Sequence, residues 1–164
     1  MHRPMHRRFD IRWSWARFEE LSLHDLYDAL QLRARVFILE QGPYLDPDGL
    51  DQQSWHLLGR LGQPSGELPA GALALYLRAV DPGLKYAEPS IGRVVTHLAL
   101  RGQGLGGVLV GEGVERCVNQ FPNQGIRISA QAHLAAFYGG FGFEIVGMPY
   151  GEDSIPHVQM FRPA

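Results

Sequence analysis

Cysteine, long apolar runs and net charge are all scarce in this 164-residue chain. Its single cysteine, Cys117, cannot form an intrachain disulfide, which favours a reducing compartment such as the cytoplasm. The longest apolar runs, such as GALALYL at 71–77, are too short to span a bilayer. The formal net charge of −2 provides no basic field to attract nucleic acid or an anionic membrane. These absences predict a cytoplasmic protein with no nucleic-acid or membrane partner.

The composition is that of an ordinary globular protein, with 45% apolar and 20% charged residues. The length suits one domain with a conventional core. We therefore expect a single domain over 10–164, preceded by a flexible tail over 1–9. His2 and His6 in this tail have the i, i+4 spacing of helical metal ligands, but no carboxylate stands near them. We predict no metal site.

Hydrophobic periodicity predicts the order of the secondary-structure elements. A strand over 10–16 precedes a helix that begins after the N-cap candidate Ser22 and extends to 41. The later predicted elements are strands over 54–61, 70–80 and 91–100, a helix over 105–121, a strand over 126–132, a helix over 133–141, and strands over 143–150 and 156–163. Glycines at 107, 111 and 113 inside the second helix indicate close packing against a sheet. The order predicts an α/β fold (an α+β mixed sheet) with helices on both faces.

The segment RGQGLGG at 101–107 places four glycines and one arginine between a strand and a helix. Gly102, Gly104 and Gly107 match the G-x-G-x-x-G spacing, but too little chain follows for a doubly wound dinucleotide fold. No Lys-Ser or Lys-Thr pair closes a Walker loop. Two interpretations remain open. Backbone N–H groups at the helix N-terminus bind a pyrophosphate with help from Arg101, or the glycines only allow the helix to pack tightly.

Two motifs resemble the GNAT superfamily of N-acetyltransferases. RGQGLG at 101–106 resembles its Arg/Gln-x-x-Gly-x-Gly/Ala acetyl-CoA loop. AQAHLAAFYGGFGFEIVG at 130–147 resembles its strand-helix-strand segment ending in Phe-Tyr-x-x-x-Gly-Phe. LQLRARVFILEQGPYLDPDGLD at 30–51, together with SWHLLG and IPHVQM, resembles the ElaA-like branch. The resemblance covers nearly the whole chain and implies a GNAT-like fold, a central mixed twisted sheet with splayed strands and helices on both faces.

The resemblance also implies acetyl-CoA as the cofactor. In this family the backbone of the strand before the glycine loop binds the pantetheine arm, and an asparagine commonly contacts it at the position of Gln131. Tyr138 matches the tyrosine that typically protonates the departing thiolate, although spacing alone indicates only an aromatic on a helix face. The implied cofactor-binding residues are Val94, Val95, Thr96, Arg101, Gly102, Gln103, Gly104, Leu105, Gly106 and Gln131.

The expected acceptor is a small-molecule or peptide amine, which has to lose a proton before it attacks a thioester. Glu40, His97 and His157 are candidate bases; each is also readily interpreted as a packed or surface polar residue, and ordered water serves in some members of the superfamily. The predicted catalytic residues are Tyr138, Glu40 and His157. Cys117 lies in an apolar helix with nothing to mark it as a nucleophile, so we expect direct transfer in a ternary complex.

Asp46, Asp48 and Asp51 crowd the loop after the first helix. They do not form a calcium loop, because the sixth position from Asp46 is not glycine and the twelfth is not glutamate. In one interpretation they steer a cationic amine together with Glu40, Glu152 and Asp153; in the other they belong to a solvated loop. Three alternatives stay open at this level: a non-catalytic acyl-CoA-binding sensor or interaction module, a nicotinamide oxidoreductase, and a homodimer paired through the two closing strands.

Overall fold

The computed structural model describes residues 9–42, 44–152 and 154–164. Its strands and helices follow the predicted order. They are β1 (Ile11–Arg17), α1 (Leu23–Phe37), β2 (Ser54–Leu61), β3 (Leu73–Val80), β4 (Ser90–Thr96), α2 (Leu105–Gln120), β5 (Ile126–Gln131), α3 (Ala135–Gly139), β6 (Glu144–Glu152) and β7 (Ile155–Arg162). Of the predicted tail over 1–9, only Phe9 lies inside the described ranges, where it packs against the core.

The strands form two antiparallel sheets, one with the order β1-β2-β3-β4 and one with the order β5-β7-β6. The edges β4 and β5 start side by side, where the Arg127 N–H donates to the Pro89 carbonyl at 3.1 Å. The two strands then separate without forming a ladder among the described residues. The predicted fold class is confirmed, and the mixed sheet is interrupted at this junction.

The two long helices cover opposite faces of the four-stranded sheet. On one face, α2 buries Leu109 and Val114 in a cluster with Leu75 and Leu77 of β3. On the other face, α1 buries three residues in a second cluster that includes Tyr76. Every residue of β3 is buried, which explains why its sequence LALYLRAV is almost continuously apolar.

Local signals explain most of the element boundaries. The Ser22 hydroxyl accepts the Asp25 N–H at 3.0 Å, which confirms the predicted N-cap of α1. The helix ends at Phe37, not at 41 as predicted, and Gly42 has a φ of 102° in the loop that follows. β4 ends at Thr96, before the predicted 100, because His97 begins a 3-10 turn in which its Nδ1 accepts the Ala99 N–H at 3.1 Å.

One of the three glycines in α2 packs against the sheet as predicted. A Cβ atom on Gly113 would lie 2.5 Å from the Leu77 Cδ2 atom, so only glycine fits there without displacement. Gly107 and Gly111 instead face Phe141, at 3.9 and 3.6 Å from the corresponding Cβ positions. Close approach of α2 to β3 therefore depends on Gly113 alone among these three.

Candidate active site

The separation of β4 from β5 opens a cleft of about 1260 Å³. The glycine loop and the start of α2 form part of its wall, and the loops before β2 and β4 and the β6–β7 turn form another part. It brings together most of the predicted site residues, namely Val94, Val95, Thr96, Arg101, Gly102, Gly104, Leu105, Gly106, Gln131, Tyr138 and His157. Gln103 and Glu40 do not line it.

A β-bulge interrupts the cleft-lining strand β4. Tyr76 of β3 pairs with Val95 and Arg78 pairs with Gly92, so two residues of β4 oppose the single residue between them on β3. One of the two, Arg93, has a φ of 51° in the left-handed region. Because the regular pairing with β3 is broken there, the backbone polar groups of the bulge require partners other than the β3 ladder.

The side chain of Arg93 holds the bulge in place through the loop before β2. Its Nε donates to Asp46 Oδ1 at 2.8 Å, and its Nη2 donates to the Asp46 carbonyl oxygen at 3.0 Å. The second carboxylate oxygen of Asp46 accepts from Nε of Arg33 in α1 at 3.0 Å. With 2% of its surface exposed, Asp46 thus joins α1, its own loop and the bulge of β4.

Two further aspartates complete what we call the Arg/Asp cluster, which consists of Arg33, Arg78, Arg93, Asp46, Asp48 and Asp51. Asp51 accepts from Arg33 at 2.8 Å and from Arg78 at 2.9 Å. Arg78 also binds Asp48 through both Nη atoms. Burial would raise the pKa of Asp48, but the hydrogen bonds and charge of Arg78 outweigh this effect and hold the pKa well below its usual range.

The Arg/Asp cluster bears on both interpretations of the acidic loop. Asp46 and Asp51 are buried, whereas Leu45, Pro47 and Gly49 are exposed, so the loop is solvated only in part. Three arginines neutralise its three aspartates, so the loop has no surplus of negative charge with which to steer a cationic amine. Arg33, Arg78 and Arg93 are distant from this loop in the sequence, and no local pattern indicates that they pair with it.

The glycine loop presents uncapped N–H groups at the start of α2. Gly104 is the N-cap residue with a φ of 79°, and no side chain accepts a hydrogen bond from the first turn of the helix. Gly102 has a φ of 76°, and no atom lies within 4 Å of a Cβ position on either glycine. This donor set fits an anionic group, since it has open space, free N–H groups and the positive end of the helix dipole.

Arg101 at the mouth of this loop is paired with Glu40. Its Nη1 and Nη2 donate to Oε1 and Oε2 of Glu40 at 2.8 and 2.9 Å. The hydrogen bonds from Arg101 lower the pKa of Glu40. Glu40 lies beside a separate shallow groove with Leu39 and Leu98, not in the lining of the main cleft.

Tyr138 reaches the cleft from α3 and is largely buried. Its ring packs edge-on against Phe137 and Phe143, with centroid distances of 5.1 and 6.1 Å. Burial raises the pKa of Tyr138 to about 12. The phenol is therefore protonated at neutral pH and able to donate a proton.

His157 lies opposite Gln131 in the β5–β7 ladder, so the two side chains share one face of the three-stranded sheet. Its Nδ1 lies 2.7 Å from the carbonyl oxygen of Ile155. Since a carbonyl only accepts, Nδ1 carries the proton and the neutral ring keeps a lone pair on Nε2. This Nε2 lies 3.8 Å from Oε2 of Glu152.

Residues not predicted for the site surround His157. Tyr150 stacks on its ring at 6.1 Å, and Ser129 bonds to the Tyr150 hydroxyl and donates to Glu152 at 3.1 Å. The burial pattern of β5 alternates along IRISAQ, and this alternation already places Ser129 and Gln131 on one face. The other sequence-predicted base, His97, is used as a turn cap and does not line the cleft.

The fold and the cleft define a class of proteins, the acyltransferases that bind acyl-CoA between two splayed strands, and comparisons with known proteins agree. The family of Acetyltransferase (GNAT) domains matches residues 77–162. A UPF0039 protein from Synechocystis is 45% identical over 152 residues, which are 92% of this chain and 94% of that protein. The crystal structure of an acyl-CoA N-acyltransferase from Pseudomonas aeruginosa has a TM-score of 0.83 at 39% identity and covers 93% of this chain and 99% of its own. The crystal structure of Escherichia coli ElaA has a TM-score of 0.82 at 37% identity and covers 93% of this chain and 99% of its own.

The chain belongs to the GNAT acetyltransferase family, and within it to the ElaA-like branch. The resemblance inferred from the glycine loop and from the Phe-Tyr-x-x-x-Gly-Phe segment is confirmed. The protein is an acyltransferase, and its family uses acyl-CoA. None of the helices in the described ranges has the length and apolarity needed to cross a membrane.

Proposed function

We propose that this protein transfers an acetyl group from acetyl-CoA to a primary amine by direct attack of the amine in a ternary complex. The observation that carries the proposal is that one cleft contains an uncapped glycine loop, a protonated tyrosine and a histidine with a free Nε2. The loop provides a binding site for the anionic CoA carrier, the tyrosine provides a general acid, and the histidine provides a general base. The acceptor is a small-molecule or peptide amine.

Acetyl-CoA would lie along the wall formed by β4 and the glycine loop. The N–H groups of Gly102, Gly104 and Gly106 bind the pyrophosphate, and Arg101 adds a positive charge. Gln103 and Leu105 lie between these glycines in the sequence and belong to the same pyrophosphate-binding loop. The backbone of Val94, Val95 and Thr96 bonds the pantetheine arm beside the bulge, and Gln131 contacts it from the opposite edge.

The transfer requires two proton movements. A new C–N bond forms as the neutral amine attacks the thioester carbonyl, and the C–S bond breaks. His157 Nε2 accepts the amine proton, and the Tyr138 hydroxyl donates a proton to the departing thiolate. An N–H of the β4 bulge supports the negative charge that develops on the acyl oxygen.

Two side chains support direct transfer without an acyl-enzyme. Cys117 is buried, and burial raises the pKa of its thiol to about 12, so it is not a nucleophile at neutral pH. Glu40 remains a candidate base from the sequence, but its carboxylate binds Arg101 outside the cleft lining. We therefore assign the base to His157 and leave Glu40 as the ion-pair partner of Arg101.

The Tyr138→Phe variant tests this function. Acetyl-CoA affinity is measured by calorimetry, and turnover is measured as release of the CoA thiol with a panel of amines. We expect affinity to be unchanged within about twofold and turnover to fall roughly 10²- to 10⁴-fold, the usual contribution of a general acid. Parallel titration with NADH provides the control for a nicotinamide enzyme.

Each outcome bears on a different alternative. Acetyl-CoA binding without turnover for any amine would favour the non-catalytic acyl-CoA-binding module. No binding of acetyl-CoA, or binding that Arg101→Glu does not weaken, would overturn the assignment of the glycine loop. The homodimer and the cytoplasmic location stay predictions; analytical ultracentrifugation and cell fractionation test them.

A further inference from the structure

Five charged side chains line the cleft: Asp48, Lys85, Arg93, Arg101 and Glu152. Asp48 and Arg93 belong to the Arg/Asp cluster, whose three positive and three negative charges cancel. Arg101 is neutralised by Glu40. Within the described part of the chain, Lys85 and Glu152 are therefore the two lining charges that have no ion pair with a carboxylate or an arginine.

Lys85 lies in the loop between β3 and β4, with its ammonium 5.7 Å from the ring centroid of Tyr86. Its side chain is exposed in the wall of the cleft. Partial loss of hydration lowers the pKa of Lys85, as do the charges of Arg78 and Arg93, whereas Glu152 and Asp48 raise it. An anion bound beside Lys85 would offset the lost hydration and give the ammonium a direct partner.

Glu152 holds the opposite charge beside the proposed base. Its side chain is 48% exposed, and one carboxylate oxygen is anchored by Ser129 at 3.1 Å. The same oxygen lies 3.8 Å from Nε2 of His157. An ammonium bound at Glu152 would be next to the group that removes its proton.

Among the described residues, Glu152 pairs with His157 and Lys85 forms no ion pair with it. Both residues line the same cleft, so a ligand bound there meets two opposite charges. A simple monoamine would be attracted by Glu152 and repelled by Lys85. A molecule with one positive and one negative end would satisfy both charges.

We propose that the acceptor is a zwitterion of the amino-acid class, with its amine at Glu152 and His157 and its carboxylate at Lys85. The proposal rests on the proposed function, because it names the acceptor of the same transfer. The ammonium of the bound zwitterion first gives one proton to His157 Nε2, which releases it to solvent. The neutral amine then attacks the thioester carbonyl, its second proton goes to His157 Nε2 as the C–N bond forms and the C–S bond breaks, and the thiolate leaves with the proton of Tyr138. The carboxylate takes no part in the bond changes and serves only for recognition.

A matched set of acceptors tests the proposal with the full-length protein and acetyl-CoA. Each of the common L-amino acids is compared with its own α-amide, which has the same amine and side chain but no α-carboxylate. The amine of an amide is the weaker base, so intrinsic reactivity at neutral pH favours the amide. A higher kcat/KM for the free acid therefore reports recognition of the carboxylate.

Two variants of Lys85 assign that recognition to its charge. We expect Lys85→Gln to raise KM for the preferred amino acid about tenfold or more, the usual effect of losing a charged hydrogen bond. Lys85→Arg, which keeps the charge, should retain most of the preference. KM for acetyl-CoA should not change in either variant. In Lys85→Gln, kcat/KM for the α-amides should stay the same or rise, because these monoamines lose only a repulsion. A folding defect would instead lower both the use of the amides and the binding of acetyl-CoA.

The possible results separate this inference from the proposed function. Equal use of acids and amides, or a preference that survives in Lys85→Gln, would overturn the zwitterionic acceptor and leave acetyl transfer to amines intact. Acetylation only of amines that lack a carboxylate would do the same. If none of the acids, the amides or a control set of carboxylate-free amines is acetylated, both the acceptor class and the proposed function fail.

Discussion

Arg101 and Glu40 face each other at the rim of the cleft as a bidentate ion pair, with N–O distances of 2.8 and 2.9 Å. The guanidinium that we assign to the pyrophosphate is thus already bound by a carboxylate. Binding of acetyl-CoA would exchange one anionic partner of Arg101 for another. Both side chains are more than 40% exposed, so water and salt weaken their pairing and the exchange is easy.

This competition predicts the effect of Glu40→Gln. Arg101 loses its competing carboxylate, and acetyl-CoA affinity measured by calorimetry at low ionic strength should rise, while Arg101→Gln should weaken binding about tenfold. The gain in Glu40→Gln should shrink as salt is added, because exposed charges are screened. A fall in kcat of several orders of magnitude in Glu40→Gln would instead identify Glu40 as the base.

The bulge at Arg93 predicts an unusual order of two substitutions. Both Arg93→Ala and Arg93→Gly remove the contacts to Asp46, but only glycine adopts a φ of 51° without strain. We expect the free energy of unfolding, measured by denaturant titration, to be about 1 kcal/mol lower for Arg93→Ala than for Arg93→Gly. Acetyl-CoA affinity should follow the same order. Equal affinities would show that the bulge does not depend on this residue.

His157→Gln should reduce kcat roughly 10²- to 10⁴-fold with little change in acetyl-CoA affinity. Turnover is measured as release of the CoA thiol, and affinity is measured by calorimetry. His97→Asn is the matched control, since asparagine keeps a hydrogen-bond acceptor for the turn that His97 caps, and it should retain kcat. A comparable loss of kcat in His97→Asn would move the base to that residue.

Gly113→Ala should destabilise the fold by about 1–3 kcal/mol, because the new methyl group overlaps Leu77. Gly139→Ala in α3 is the control. No atom lies within 4 Å of its Cβ position, and the free energy of unfolding should change by about 0.5 kcal/mol or less. Urea denaturation followed by circular dichroism measures both. An unchanged free energy of unfolding in Gly113→Ala would mean that α2 is able to move away from β3.

The Arg/Asp cluster predicts a loss of stability in acid. Arg78 holds the pKa of Asp48 well below its ordinary value near 3.8. A carboxylate with a lowered pKa stabilises the folded state fully above its unfolded pKa and loses this contribution as pH falls further. We expect Asp48→Asn to be less stable than the unmodified protein at pH 7. The difference should narrow below about pH 4; a constant difference would mean that the charge of Asp48 does not matter.

The sequence allowed prediction of those parts that depend on neighbours along the chain. The element order, the Ser22 cap and the glycine loop all follow from local spacing and backbone chemistry. Boundaries were less accurate. The apolar pattern continues beyond Phe37 and predicts a helix as far as 41, but α1 ends at Phe37. Tyr138 was selected by the family resemblance and not by its spacing.

Pairings between distant residues could not be predicted. Arg33 and Asp46 have ordinary local surroundings, and only the folded chain brings both to Arg93. The sequence therefore left open whether the acidic loop is solvated or steers a cationic amine, and the structure pairs its three aspartates with arginines. The relation of Lys85 to Glu152 also depends on the folded chain, because Lys85 lies in the loop between β3 and β4 and Glu152 lies at the end of β6.

The separation of β4 from β5 has a consequence for the folding energetics of the whole molecule. Two strand edges that a continuous sheet would pair are left open to water, and such edges are also where chains aggregate. A thioester carrier lying between them would act as an eighth strand and complete the hydrogen bonding that the polypeptide leaves unfinished. A bound donor substrate would then stabilise the native state, and the free energy of unfolding would rise with its concentration.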